Sequence, residues 1–304
     1  MKKILFFIDP DWVFGKIHQE LIKALYPDFY CDLKPWAVSM TSQEGELFKN
    51  KYDLFVSTPT GCFVLHENYH IPMNKLVGII HGDFDVYSCL DKIKDAREKF
   101  KVLGGYAAIW PNGQNMSISY GIDNIPEFLP IGIFTELYEI QKPKPVETCG
   151  YFCKPQRIDR GIDIKRGDLV KLVCEKTKIK LKQCSNFNFL VADQLYKGVD
   201  FVMFASLMEG NPYPALEAFA SGIPVIGTKV GIFGEYAKTG AGVVLPFQKE
   251  AFIKEAQIAI NNWVSNPEAY VEACNAALRL RSKLDWKSIK PLWVEFLNQV
   301  LEKQ

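Results

Sequence analysis

Short apolar runs, nearly free of charge, recur along this chain at intervals long enough for a helix between them. No other feature restricts the fold as much. KILFFI (3–8), DLFVST (53–58), KLVGIIH (75–81) and YAAIW (106–110) each stop at Gly, Pro or Asp. Such a run has no face to offer water, so it belongs inside a sheet covered on both sides. The amphipathic stretch GKIHQELIKAL follows the first run, as a crossover helix should. IQKPKPVET (140–148) has no periodicity and reads as a linker. Beyond it the alternation restarts with VETCGYF, the helix DLVKLVCEKT, the strand IKLKQC, DFVMFAS (200–206), IPVIGT (223–228), GVVLP (242–246) and a helical tail. The expected fold is α/β with two halves: 1–139, a hinge at 140–148, and 149–284, followed by a last helix at 285–304.

Composition removes several functional classes. The chain has 304 residues, 48% apolar and 23% charged, with a net charge of +1, so no whole-protein argument for nucleic acid or a membrane surface exists. It contains no run of about 18 apolar residues that could span a bilayer. MKKILFFIDPDW is cut off at Asp9, Pro10 and Asp11 and reads as a first strand rather than a secretory signal. Eight cysteines without a CxxC pair suggest reduced thiols and a cytoplasmic protein.

The most informative stretch is MEGNPYPALEAFASGIPVIGT (208–228). It follows the buried run DFVMFAS, and ligands of open α/β sheets gather at the C-terminal ends of strands. Pro212 and Pro214 favour a turn and then a helix start. Glu217 is expected near that helix's N-terminus, where exposed N–H groups favour a diphosphate and a carboxylate can accept from the two hydroxyls of a ribose. The plainer reading is that Glu217 only complements the helix dipole.

SLMEGNPYPALEAFASGIPVIGTKVGIFGEYAKTGAGVVL, with Glu209 and Glu217 separated by seven residues, resembles the donor-binding segment of GT-B-fold glycosyltransferases of the family-four type. GIIHGD resembles the family's first-domain strand ending in histidine. PIGIFTELY (130–138) resembles its hinge strand, without the usual Asn and Asp, and LDWKSI (284–289) resembles the start of its last helix. The resemblance spans most of the chain and is densest in the second half. It implies two Rossmann-like domains facing across a cleft, the acceptor on the first and a nucleotide-sugar on the second, with the last helix crossing back. By the same resemblance Glu217 holds the ribose, Glu209 with Gly210, Asn211 and Tyr213 contacts the donor sugar, and His81 approaches that sugar. GYFCKPQRIDRGID departs from the family's Gly-Arg…Lys-Gly pattern. Arg160 is the better candidate for the diphosphate, with Lys154 or Arg157 as the second cation. Gly15, at the turn after the first strand, is expected near the donor phosphate or simply at a helix start. Phe187 and Phe189 are candidates for the base. The implied reaction is retaining transfer from a nucleotide-sugar to a hydroxyl acceptor with no metal or other cofactor. The acceptor stays open among a glycan, a lipid headgroup, a small molecule and a hydroxymethylated base in DNA. A non-catalytic nucleotide-sugar binder is the rival.

Three other strings compete. HENYH (66–70) matches the HExxH zinc string, but Pro72 closes any helix, and a surface turn between strands is expected instead. DPD (9–11) and DFD (83–85) match Asp-x-Asp metal strings and read as loop aspartates, with Asp83 or Asp85 a conceivable base toward the acceptor. DKIKDAREKFKVL (91–103) reads as one amphipathic helix with Ile93, Ala96, Phe100 and Leu103 inward. Its basic face is either solvated or turned to an anionic acceptor. KTKIKLK (176–182) is expected to edge the second sheet.

Overall fold

The computed structural model describes residues 1–9, 13–36, 41–184 and 192–304, so Pro10, Asp11, Phe187 and Phe189 lie outside the described residues. The chain forms two compact units, Met1–Gly132 with Trp286–Gln304, and Ile133–Asp285.

The first unit runs β1 (Lys2–Ile8), α1 (Val13–Leu25), β2 (Phe29–Pro35), α2 (Ser42–Lys51), β3 (Leu54–Ser57), α3 (Pro59–Tyr69), β4 (Leu76–Ile80), α4 (Asp83–Lys92), α5 (Ala96–Lys101), β5 (Gly105–Ala108), α6 (Gly113–Ser119) and β6 (Glu127–Phe128). Its strands pair in parallel in the order β2-β1-β3-β4-β5-β6. The four apolar runs read from the sequence become β1, β3, β4 and β5. Ile4 to Ile8 and Leu76 to Ile80 are buried throughout, as strands covered on both faces must be. β2 was not legible, because an edge strand such as FYCDLKP is only partly covered and mixes charged with apolar residues.

The second unit runs β7 (Thr148–Tyr151), β8 (Ile158–Asp159), β9 (Ile162–Asp163), α7 (Gly167–Thr177), β10 (Lys180–Gln183), α8 (Ala192–Tyr196), β11 (Phe201–Phe204), α9 (Tyr213–Ala220), β12 (Val225–Thr228), α10 (Phe233–Tyr236), β13 (Gly242–Leu245), α11 (Lys249–Ser265) and α12 (Pro267–Leu284). Its main sheet is parallel in the order β10-β7-β11-β12-β13, with lysine-rich β10 at the edge. β8 and β9 form a small antiparallel hairpin between β7 and α7. The last helix, α13 (Trp286–Glu302), belongs to the first unit. Trp286 is buried there, its Nε1 donates to Glu20 Oε2 at 3.2 Å, and Trp293 Nε1 donates to Pro130 O at 2.8 Å. Gly132 lies flat on Trp286: an added Cβ would stand 2.7 Å from the indole ring, so only glycine fits.

Several expectations need correction. The division falls at Gly132–Ile133 rather than at 139–140, and 133–146 belongs to the second unit. This stretch holds only a single bridge, Ile133 to Asp285, and a short 3-10 turn at Thr135–Leu137, not a strand. Arg281 on α12 fastens it by donating to the carbonyls of Thr135 (2.6 Å), Tyr138 (3.0 Å) and Ala220. Residues 91–103 are two helices, not one. α4 ends at Lys92, and Asp95 takes a left-handed φ of 55° before α5, although Ala96, Phe100 and Leu103 are buried as expected. HENYH is the end of helix α3 rather than a turn between strands. His70 follows that helix at φ 54°, so the helical spacing that would align it with His66 is lost. His66 Nδ1 instead lies 2.9 Å from Ile71 O, and Glu67 pairs with Lys99. DFD opens α4, so Asp83 and Asp85 are helix-start residues and not loop aspartates.

Candidate active site

The strongest cluster lies at the C-terminal end of β11. Phe201 to Phe204 are fully buried, and the chain then turns through Ser206 and Glu209 into α9. Leu207 N donates to Ile164 O at 2.8 Å, laying the 206–209 loop beside the segment that leaves the β8–β9 hairpin. Asp163 Oδ1 holds that segment by accepting from Arg157 N and Lys165 N, each at 3.0 Å. Lys165 therefore reaches Glu209. Its Nζ donates to Glu209 Oε1, which also accepts from Ser206 Oγ at 2.8 Å. The two side chains are only 14% and 16% exposed, so the pair is shielded yet reachable. Burial works against the charge on Lys165, but the adjacent Glu209 carboxylate outweighs it and raises the lysine above its ordinary pKa.

Gly231 closes over the same loop. At φ 50° it lies so near Gly210 that a Cβ would overlap the Gly210 carbonyl oxygen, which explains the glycine after the second strand of the motif. Gly210 and Tyr213 are buried and Asn211 is half-buried.

Glu217 is the fifth residue of the eight-residue helix α9, a turn deeper than its expected position near the N-terminus. It is 4% exposed. Tyr138 Oη donates to Oε1 and Tyr196 Oη donates to Oε2, both at 2.6 Å. Burial, and then the charge of Glu217, push the Tyr196 phenol well above its ordinary pKa, so it stays protonated and can donate.

Lys154, Arg157 and Arg160 are all exposed, and Arg160 sits at the hairpin tip with a left-handed φ of 49°. Lys165, which reaches the carboxylate, was missed because the hairpin lengthens the path from β7 to α7. Its signal was present in Lys165-Arg166-Gly167, directly ahead of the helix.

A second cluster belongs to the first unit, where His81 follows β4. Asp85, the third residue of α4, reaches back to accept from His81 N at 2.6 Å and lies 3.3 Å from His81 Nδ1. The other ring nitrogen, Nε2, lies 2.8 Å from Nε2 of His18 on α1. His18 and His81 are almost fully buried. Burial first, and His81 second, hold the His18 imidazole well below its ordinary pKa. His18 was not singled out from the sequence, and nothing in the string GKIHQEL distinguishes it from a helix-face residue. Gly15 lies within the first turn of α1 and not in the turn before it. The basic face at 92–101 is not a bare cationic strip, since Lys99 pairs with Glu67 and Lys101 with Glu98 and Asp123. No described group of three His, Cys, Asp or Glu is placed to hold a metal ion. No described helix is long and apolar enough to cross a membrane.

The two units, each a parallel α/β sheet, have the GT-B fold, and the second carries a carboxylate–lysine pair and a buried helical glutamate after its central strand. Comparison with known proteins gives the class its particulars. Residues 170–278 match the family model of the glycosyl transferases group 1. The whole chain superposes on sucrose-phosphate synthase from Thermosynechococcus elongatus with a TM-score of 0.70 at 12% identity, covering 100% of both chains. HepE from Anabaena, solved with UDP, gives 0.70 at 14% identity over 98% of this chain and 100% of its own. The lipopolysaccharide outer core galactosyltransferase WaaB gives 0.60 at 14% identity over 100% of both. No curated protein sequence matches significantly.

Proposed function

We propose that the protein transfers a sugar from a nucleoside-diphosphate sugar to a hydroxyl acceptor, with retention of anomeric configuration and without a metal. The observation that carries this reading is the shielded Glu209–Lys165 pair at the end of β11, in the loop that leads into the helix carrying Glu217. HepE has been solved with UDP and with UDP-glucose, which favours a UDP-sugar as the first donor to try.

On this reading the C–O bond between sugar and diphosphate breaks and its electrons go to the departing phosphate oxygen. Lys165 answers the charge developing there, a role for which a preorganised cation is worth more than mobile water. Arg160, Lys154 and Arg157 supply further positive charge from the hairpin. Glu209, with Gly210, Asn211 and Tyr213, orients the sugar. The acceptor oxygen joins the anomeric carbon on the face the phosphate leaves, and its proton passes to that phosphate. Glu217 holds the ribose. Eight free cysteines suit a cytoplasmic setting.

The test is a thermal-shift panel of UDP-, GDP-, ADP- and TDP-sugars, since a ligand of the native state raises its apparent stability, followed by donor consumption in wild type and Glu209→Ala. One donor is expected to stabilise the chain and to be consumed only by wild type. A donor that binds but is never consumed points to the binding protein instead.

A further inference from the structure

The C-terminal end of β4 in the first unit carries two side chains that the fold does not account for. Asp83 and Phe84 open α4, so they stand where a parallel sheet presents its ligands. Phe84 is 43% exposed, yet its ring is not loose. It meets Tyr87 edge to face with centroids 5.5 Å apart, and Tyr87 meets Tyr120 at 6.5 Å. Arg97 Nε donates to the Tyr120 carbonyl at 3.2 Å and holds the far end of this aromatic row. Asp83 is half-buried, and among the described residues none but its own N–H bonds to its carboxylate. An acid in a first helical turn ordinarily gains from the helix dipole. Here burial outweighs that gain and lifts the Asp83 carboxyl above its ordinary pKa, so the fold does not profit from the charge. The same strand end holds a second unmatched group. His18 Nδ1 is buried with no hydrogen-bond partner among the described residues, and its ring lies 4.9 Å from that of His81.

An exposed ring beside unmatched polar groups is a surface that a ligand of mixed character completes. A sugar has that character: a C–H face that packs on an aromatic ring, and hydroxyls that donate to a carboxylate. A phosphate or a uronic acid would instead meet like charge at Asp83. The lysines of α5 do not offset that charge, since Lys99 pairs with Glu67 and Lys101 with Glu98 and Asp123. Resting on the donor reading above, we propose that Asp83 and Phe84 form an acceptor subsite on the first unit and that the acceptor is an uncharged sugar. Phe84 lies under its C–H face and Asp83 accepts from its hydroxyls. That selects a glycan over a phosphate-bearing lipid headgroup or DNA.

The experiment is saturation-transfer NMR on the full chain. The neutral probes are the methyl glycosides of glucose, galactose, mannose and N-acetylglucosamine, and the anionic probes are methyl glucuronide and glycerol 3-phosphate. UDP, or the nucleotide found in the thermal-shift panel, is the donor probe. Wild type is expected to transfer saturation to at least one neutral glycoside and several-fold less to either anion. Phe84→Ala is expected to lower the neutral signal about fivefold or more, the loss of one aromatic contact, while Phe84→Tyr retains it. Asp83→Asn is expected to weaken the neutral signal and to narrow the gap to methyl glucuronide, because the like charge is gone. The nucleotide signal should stay within about twofold in every variant, as befits changes at an open surface. A neutral signal that survives both Phe84→Ala and Asp83→Asn overturns the proposal. Preference for either anion overturns it too, as does silence from every glycoside while the nucleotide binds, and all three outcomes leave the donor reading intact. If a glycoside binds as expected but no nucleotide or nucleotide-sugar does, the donor reading falls, and the subsite survives only as a sugar-binding surface.

Discussion

The end of β11 in the second unit and the end of β4 in the first are both C-terminal ends of interior strands in parallel sheets, yet they neutralise charge in different ways. After β11, Glu209 meets a lysine and Glu217 meets two phenols, groups whose protonation does not change near neutral pH. After β4, Asp85 meets His81, which in turn meets His18, an imidazole that burial holds well below its ordinary pKa. The first arrangement suits a site whose charge must be constant while an anion departs. The second ties the folded state of its unit to pH.

The sharpest way to break this comparison is to remove the cation. Lys165→Met is expected to lower the turnover of a consumed donor by about 10²–10³-fold, as loss of a preorganised charge stabiliser does. Steady-state kinetics with the donor identified in the thermal-shift panel checks this. Next in size is Glu217→Leu, which removes the carboxylate to which two buried phenols donate. Urea unfolding should show a loss of about 2–3 kcal/mol, whereas Glu217→Gln keeps two acceptor or donor positions and should lose less.

Acid distinguishes the two regions directly. The His18 pKa is lowered in the folded state, so below the ordinary value of 6.5 the unfolded chain binds a proton that the folded chain resists. Stability is therefore complete above that pH and falls as pH drops through it, with a slope approaching about 1.4 kcal/mol per pH unit for this one group. In His18→Leu the slope between pH 6.5 and 5 should flatten, measured by urea unfolding across that range. If His18→Leu keeps the wild-type slope, the histidine pair is not the source of the acid sensitivity. The smallest effect belongs to Arg160→Ala. At an exposed hairpin tip it should change stability by less than about 0.5 kcal/mol and turnover far less than Lys165→Met. A loss equal to that of Lys165→Met would restore Arg160 as the principal cation.

Much of this was readable beforehand, for reasons of burial. β1, β3, β4, β5, β11 and β12 are covered on both faces, so apolar composition alone marks them. The Glu209–Glu217 segment was legible because strand, turn and helix follow one another without interruption. Lys165 was not, because the inserted β8–β9 hairpin displaces the cation along the chain while folding back to deliver it to the same carboxylate. The break at Asp95 was hidden because both helices keep one apolar face, and periodicity does not register a change of direction between them.

The sequence by itself determined two parallel α/β sheets and the pair of glutamates after β11, since both follow from local order and from which residues water rejects. Only the tertiary structure decided what those glutamates touch. Hydrogen-bond partners are chosen by the closure of long loops, which brings Tyr138 and Tyr196 onto Glu217 and Lys165 onto Glu209. No local pattern in the chain encodes that geometry.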